Sequence, residues 1–289
     1  MLLQFKYWFS AFRVRTLPAA LSPVFIGAIL SESVHLLTFS LIIIVAVLIQ
    51  IGTNLANDYF DYKNGADTEE RLGPIRATSA GLITPQAMLR GVIVTFLLAF
   101  FIGLSLVYRG GLPILIIGVL SIISGIAYTG GPYPLGYNGL GDLFVLIFFG
   151  PIAVAGTSYL FDLQFSADIA FLGLGPGLLS MAILAVNNLR DCKEDKKTGK
   201  RTLAVRFGAS FAKWEYVFSI VMASSLPIIW SLYRGLFELK MLLILFSLVM
   251  AIPNIYKVFT QSGQVLNMVL ANTGKLMLVY TVLLYLIFK

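Results

Sequence analysis

Apolar runs of membrane length recur along the chain, separated by polar breaks of which only two are long. The runs cover approximately residues 16–30, 37–55, 88–108, 112–128, 141–160, 169–189, 216–233, 239–256 and 270–288. A run of roughly 17 to 25 apolar residues crosses a bilayer as a helix, because lipid leaves backbone N–H and C=O groups no partner outside the segment. The pattern therefore predicts an all-α, polytopic membrane protein with nine transmembrane helices, forming a single membrane domain over residues 1–289. The first run is short. The stretch ahead of it, residues 5–12 with Trp8, Phe9 and Phe12 beside Lys6 and Arg13, reads as an amphipathic lead-in lying in the membrane interface.

Composition points the same way. The chain is 58% hydrophobic and 12% charged with a mean hydropathy of +0.88, whereas a soluble domain carries about 25% charged residues. A net charge of +7 would suit nucleic acid, yet the basic residues follow the alternation of loops instead. With the N-terminus inside, the cytoplasmic segments hold Lys6, Arg13, Arg15, Lys63, Arg71, Arg76, Arg90, Arg190, Lys193, Lys196, Lys197, Lys200, Arg201, Arg206, Lys213 and Lys257, with Lys275 near the same side. The opposite side holds Arg109, Arg234, Lys240 and Lys289, so the positive-inside rule predicts a cytoplasmic N-terminus and both long loops in the cytoplasm. No cleavable signal segment is expected, and a bacterial plasma membrane suits the chain. Cys192 is the only cysteine, which rules out an intramolecular disulfide.

The chemistry is expected where two apolar runs end. Asn54-x-x-Asn57-Asp58-x-x-Asp61 closes the second, and Asn187-Asn188-x-x-Asp191-x-x-x-Asp195 closes the sixth. On a helix, Asn54, Asp58 and Asp61 share one face, as do Asn187, Asp191 and Asp195. Asp and Asn at a helix end often serve only as caps. Two matched faces on one side of a membrane favour a site instead, since ionisable groups at membrane depth are functional by default. Paired carboxylates suit Mg2+, which takes oxygen ligands and is usually held by one or two carboxylates plus substrate phosphates. That points to a lipid diphosphate, with Asp58, Asp61, Asp191 and Asp195 as catalytic and metal-holding groups. Lys63, Arg76, Lys193, Lys197 and Arg201 are placed to meet phosphate oxygens. The run from Lys193 to Arg201 serves equally well as a topology signal or an anionic-lipid contact.

Both long loops follow one order, Lys63-Asn64-Gly65 leading to Arg76-Ala77-Thr78 and Lys197-Thr198-Gly199 leading to Arg201-Thr202. An internal duplication and a shared chemical need account for this equally. A third loop, residues 128–137, has three tyrosines and no basic residue; Tyr128 and Tyr133 are candidates to line an entrance or seat an aromatic acceptor. Asp142 beyond it reads as a charge favouring a helix N-terminus. Nucleophile and nucleotide motifs are missing: there is one histidine, His35, and neither Gly-x-Ser-x-Gly nor Gly-x-x-x-x-Gly-Lys-Ser/Thr occurs.

These residues resemble the UbiA-type intramembrane prenyltransferases, with two Asp-rich motifs at the ends of the second and sixth helices. Arg15-Thr16-Leu17-Pro18, the stretch from Asn57 to Asp67, Gly73-Pro74-Ile75-Arg76, residues 128–137 and Asn187-Asn188-x-Arg190-Asp191 look like the branch that prenylates 1,4-dihydroxy-2-naphthoate for menaquinone. The resemblance implies nine helices around a central cavity opening toward lipid. It implies transfer of a polyprenyl group from a polyprenyl diphosphate to the naphthoate with decarboxylation, using Mg2+. It adds Asp67 to the metal set, because the family's usual third acid falls at Gly65 here, and it assigns Asn54, Asn57, Asn187, Asn188, Lys63, Arg76, Lys197 and Arg201 to substrate binding. Other acceptors, 4-hydroxybenzoate or homogentisate, share the Asp motifs and stay open, as does a cation-coupled transporter; no protein partner is signalled.

Overall fold

A computed structural model describes residues 2–67 and 72–289, with side chains from residue 5 onward. Arg71, counted above among the cytoplasmic basic residues, lies outside the described residues. Helices and turns make up the described chain, which contains no strand. In order, the α-helices are α1 (Leu2–Phe12), α2 (Leu17–Leu30), α3 (Leu36–Lys63), α4 (Pro85–Gly110), α5 (Leu112–Ala127), α6 (Gly141–Ile147), α7 (Ala153–Asp162), α8 (Ala167–Lys197), α9 (Leu203–Phe207), α10 (Ala209–Tyr233), α11 (Phe246–Thr260) and α12 (Leu266–Phe288).

Eight helical stretches among the described residues are long and apolar enough to cross a membrane, and the protein is a multi-pass membrane protein. The fourth expected run forms α5, which is apolar but only 16 residues long. The largest departures from the sequence pattern are at two helix ends. Hydrophobicity stops near Leu55 and Leu189, yet α3 runs on to Lys63 and α8 to Lys197, carrying the acidic motifs inside the helices. Helix starts follow local chemistry: the Thr84 side chain accepts from Ala87 N at 3.3 Å with Pro85 in the first turn, and Ser166 accepts from Ile169 N at 3.3 Å.

The central post is α8. Over its apolar window 61% lies inside the protein, against 17% for α3. Lipid is as apolar as a leucine side chain, so helices associate in a membrane through close packing and not through water exclusion. Small residues on α8 permit that packing: Gly173, Gly175, Gly177, Ser180, Ala182 and Ala185 are buried. A Cβ at Gly150 would lie 2.9 Å from Gly173 O, one at Gly173 would lie 3.0 Å from Pro151 Cα, and one at Gly177 would collide with Leu146 O. Beside this seam the Gly141–Asp162 span bends at Gly150 and Pro151, where the proline has no N–H to give. The main core joins α2, α8, α10, α11 and α12 around fully buried Tyr216, Met277 and Tyr280, whose hydroxyl donates to Ala223 O at 3.0 Å.

Candidate active site

The two acidic helix ends are built by one device. At the end of α3, Gly65 has φ 64° and its N–H bonds Tyr62 O at 3.1 Å, while Ala66 N–H bonds Asp61 O at 2.9 Å. At the end of α8, Gly199 has φ 79° and bonds Lys196 O at 3.4 Å, while Lys200 N–H bonds Asp195 O at 2.8 Å. Each is a Schellman termination, which needs a left-handed residue and so favours glycine. Aligning the two glycines superimposes Asp61 on Asp195, Lys63 on Lys197, Asn57 on Asp191 and Asn54 on Asn188. The repeat seen in the sequence is therefore a repeat of local structure. It differs at one telling place, where Lys200 stands opposite Ala66.

The first cluster is sealed by its own loop. Asp58, 1% exposed, accepts from Ala77 N and Thr78 N at 3.0 Å each. Asp61 accepts from Arg76 Nη2 at 2.5 Å and from the Tyr137 hydroxyl at 2.6 Å. Asp67 lies 3.5 Å from Arg76 Nε and accepts from Ser79 Oγ at 3.1 Å. In the second cluster, Arg190 grips Asp191 through two bonds of 2.7 and 2.5 Å and extends to Asn187 Oδ1 at 2.8 Å and Asn267 Oδ1 at 2.5 Å. Asn267 in turn donates to Leu72 O at 3.1 Å, tying α12 to the first loop.

Lys200 joins the clusters. Its Nζ lies 3.4 Å from Asp61 Oδ1, 3.9 Å from Asp195 Oδ1 and 4.7 Å from the Tyr137 ring centroid. The tyrosine loop lies between the same helix ends, because Asn64 donates to Thr129 O at 3.2 Å, Thr129 donates to Asn57 Oδ1 at 3.0 Å and Arg201 N donates to Tyr137 O at 2.7 Å. Burial, then the Asp61 charge and hydrogen bond, push the Tyr137 hydroxyl well above the ordinary phenol range. Burial also raises Tyr128, followed by the charges of Asp142, Asp61 and Asp195. Both stay protonated phenols, able to donate.

An apolar cavity of about 230 Å³ extends from this region between α2, α3, α4, α5 and the bent α6–α7 span. Tyr128 lines it, with Gln50 and Thr53 among its few polar groups, and Phe144 and Phe148 stack along it at 5.9 Å. The acids do not line it. The cavity offers hydrocarbon walls and the acidic helix ends offer charge, and Tyr128 belongs to both.

The remaining expected residues take varied places. Asn54 turns from the acids and donates to Phe12 O and Thr16 Oγ1 at 3.0 Å, fastening the turn between α1 and α2. Asn188 is buried on α8. Lys63, Tyr133, Lys193, Lys197 and Arg201 are exposed around the clusters. Tyr137, Lys200 and Arg190 hold the acids, and Asn267 holds Arg190, without having been singled out as binding residues from the sequence.

The fit to a divalent cation follows from the donors. Among the described residues no three His, Cys, Asp or Glu side chains converge as a cage. Mg2+ needs none, since it keeps waters and takes one or two carboxylates beside phosphate. An ammonium already stands between Asp61 and Asp195, which is where a cation shared by the two motifs belongs. Arg76 Nη1, Thr78 Oγ1 and Thr202 Oγ1 are buried without a hydrogen-bond partner, leaving donors at the site for an oxyanion.

Comparison with known proteins agrees with this architecture. Residues 20–284 match the UbiA prenyltransferase family. The 1,4-dihydroxy-2-naphthoate octaprenyltransferase of Escherichia coli (strain K12) is 41% identical over 210 residues, 70% of this chain and 68% of that one. The enzyme of the same description from Mycobacterium tuberculosis is 36% identical over 228 residues, 78% of each chain. Among solved structures, a UbiA homologue from Archaeoglobus fulgidus described as bound to DMAPP and Mg2+ has a TM-score of 0.72 over 96% of this chain and 97% of that one, and at 14% identity it speaks for the fold alone. The chain belongs to the UbiA prenyltransferase family.

Proposed function

We propose that the protein transfers a polyprenyl group from polyprenyl diphosphate to 1,4-dihydroxy-2-naphthoate, releasing carbon dioxide and diphosphate and giving demethylmenaquinol, the reduced form of demethylmenaquinone. The observation that carries the reaction class is the convergence of Asp61 and Asp195 with Lys200 and the unpartnered donors of Arg76, next to an apolar cavity. The choice of acceptor draws support from the curated relatives named for that naphthoate. Asp58, Asp61, Asp191 and Asp195 would hold Mg2+, with Asp67 acting mainly on Arg76. When bound, the metal would neutralise charge developing on the departing diphosphate, worth several kcal/mol.

Arg76 and Lys200 would take the remaining phosphate oxygens, the guanidinium by its planar fork and the ammonium as a point charge. The apolar cavity would take the isoprenoid and keep water from the allylic cation formed when the C–O bond breaks. The electron-rich ring carbon bearing the carboxylate would then attack. Its C–C bond to the carboxylate breaks, and the electron pair restores aromaticity. Tyr128 and Tyr137, protonated, would donate to the acceptor or to the leaving group. The charge asymmetry of the loops supports a site facing the cytoplasm of a bacterial plasma membrane.

The test is product mass after incubating purified protein with polyprenyl diphosphate and 1,4-dihydroxy-2-naphthoate, with and without Mg2+, and with 4-hydroxybenzoate in parallel. A decarboxylated prenyl naphthohydroquinone, or the quinone that air oxidises it to, formed only with the naphthoate and metal is the expected outcome. Product only from 4-hydroxybenzoate would overturn the acceptor, and no product from either would overturn prenyl transfer to these rings.

A further inference from the structure

The end of α8 places Lys200 differently from Arg76 and Arg190. In a Schellman termination the residue after the glycine folds back over the helix residue five positions earlier, and here these are Lys200 and Asp195. The usual apolar contact at that spot is replaced by an ammonium and a carboxylate, with Nζ 3.9 Å from Asp195 Oδ1 and 3.4 Å from Asp61 Oδ1 on the facing helix. Arg76 pairs with acids of the first motif and Arg190 with Asp191 of the second; Lys200 touches one acid from each. We propose that Lys200 is the site's own resting cation, bridging Asp61 and Asp195 until a divalent metal enters and displaces it.

Three features make the displacement feasible. The Lys200 backbone is held, by Asp195 O at 2.8 Å on one side and through the Arg201 N–H to Tyr137 O at 2.7 Å on the other, so only the side chain moves. That side chain is a flexible four-carbon stem carrying a strongly hydrated charge, and it is 13% exposed, which leaves it a way out. The Tyr137 ring, 4.7 Å from Nζ, offers a resting contact that does not depend on either acid. At the end of α3 the equivalent position is Ala66, so the exchange is built into one motif only.

Metal and Lys200 then compete for the same two carboxylates, so metal alone binds weakly. A metal arriving with a diphosphate binds better, because the expelled ammonium meets phosphate oxygens. By linkage the two ligands favour one another. This inference rests on the prenyl-diphosphate reading of the same site, and product formation by the native protein tests that reading separately from the measurements below.

The experiment titrates Mn2+, as a paramagnetic substitute for Mg2+, into the purified full-length protein in detergent without any diphosphate, reading bound metal by electron paramagnetic resonance. K200Q should bind the ion about tenfold more tightly than the native protein, a coupling of ordinary size. K200R, which keeps the charge, should bind like the native protein. Equal affinity in K200Q, weaker affinity, or no binding to either protein would overturn the proposal. A second reading uses the native chain alone: Mg2+ should raise labelling of Lys200 by an amine-reactive reagent severalfold, followed by mass spectrometry of the 193–201 peptide. Labelling unchanged by Mg2+ would overturn the proposal whether or not the variants fold.

Discussion

The end of α3 and the end of α8 share a termination, a glycine register and a pair of acids, yet they are stabilised in different ways. At the end of α3, Asp58 is satisfied by two backbone amides of its own loop, whereas Asp61 takes Arg76 from that loop together with the Tyr137 hydroxyl and Lys200 from outside it. The α8 acids are satisfied by side chains alone, Arg190 on Asp191 and Lys200 near Asp195. Amides fixed in a turn cannot leave without unfolding it, whereas an ammonium on a long stem can. The first motif thus has one acid, Asp58, fixed by backbone, and among the described residues the second has none.

The largest effects should come from removing the acid that faces its counterpart. D61N and D195N should each lower kcat/KM by at least about a thousandfold, on the order of 4 kcal/mol of lost charge stabilisation. The comparison sharpens in hydrogen exchange over residues 72–84: D61N should raise it, because Arg76 loses a partner, and D195N should not. Equal exchange in both variants would mean that the two ends are not held differently. A middle-sized effect is expected from Y137F, which deletes a 2.6 Å bond to Asp61. Loss of a hydrogen bond to a charged group costs about 2 kcal/mol, so KM for the polyprenyl diphosphate should rise roughly thirtyfold. An unchanged KM would remove Tyr137 from the binding machinery.

The smallest effects test the shared termination. G65A and G199A each force alanine into a left-handed backbone, at about 1 to 2 kcal/mol, and each should lower the melting temperature by a few degrees. Only G199A moves a charged side chain with the turn, so only G199A should change Mn2+ affinity. If G65A changes it as much, the asymmetry between Ala66 and Lys200 is not what sets metal binding.

Much of this was legible in the chain. The apolar runs marked the helices, and the spacing of Asp58, Asp61, Asp191 and Asp195 pointed to the two helix ends that Lys200 joins. The extra turns of α3 and α8 carry no apolar periodicity, so only the helical spacing of the acids points to them, and their tertiary partners such as Thr129 were not legible. Arg190 was obscured because adjacent helix residues do not ordinarily face one another, although a guanidinium is long enough to curl onto Asp191. Lys200 was one basic residue in a run of them, distinguished only by its place after Gly199. Asn267 gave no signal at all, since its partners Arg190 and Leu72 lie 77 and 195 positions away.

The seam where Gly150 meets Gly173 and Gly177 has a consequence for how this protein can change over time. At most packed contacts a residue that grows can be answered by a neighbour that shrinks. Here both sides are already as small as an amino acid gets, and a carbon added at Gly177 meets backbone, which no substitution can trim. Drift at the seam has no second-site remedy. The depth at which α8 presents Asp191 and Asp195 is therefore inherited as a fixed dimension, and variation in what the protein accepts is left to the loops and cavity walls around it.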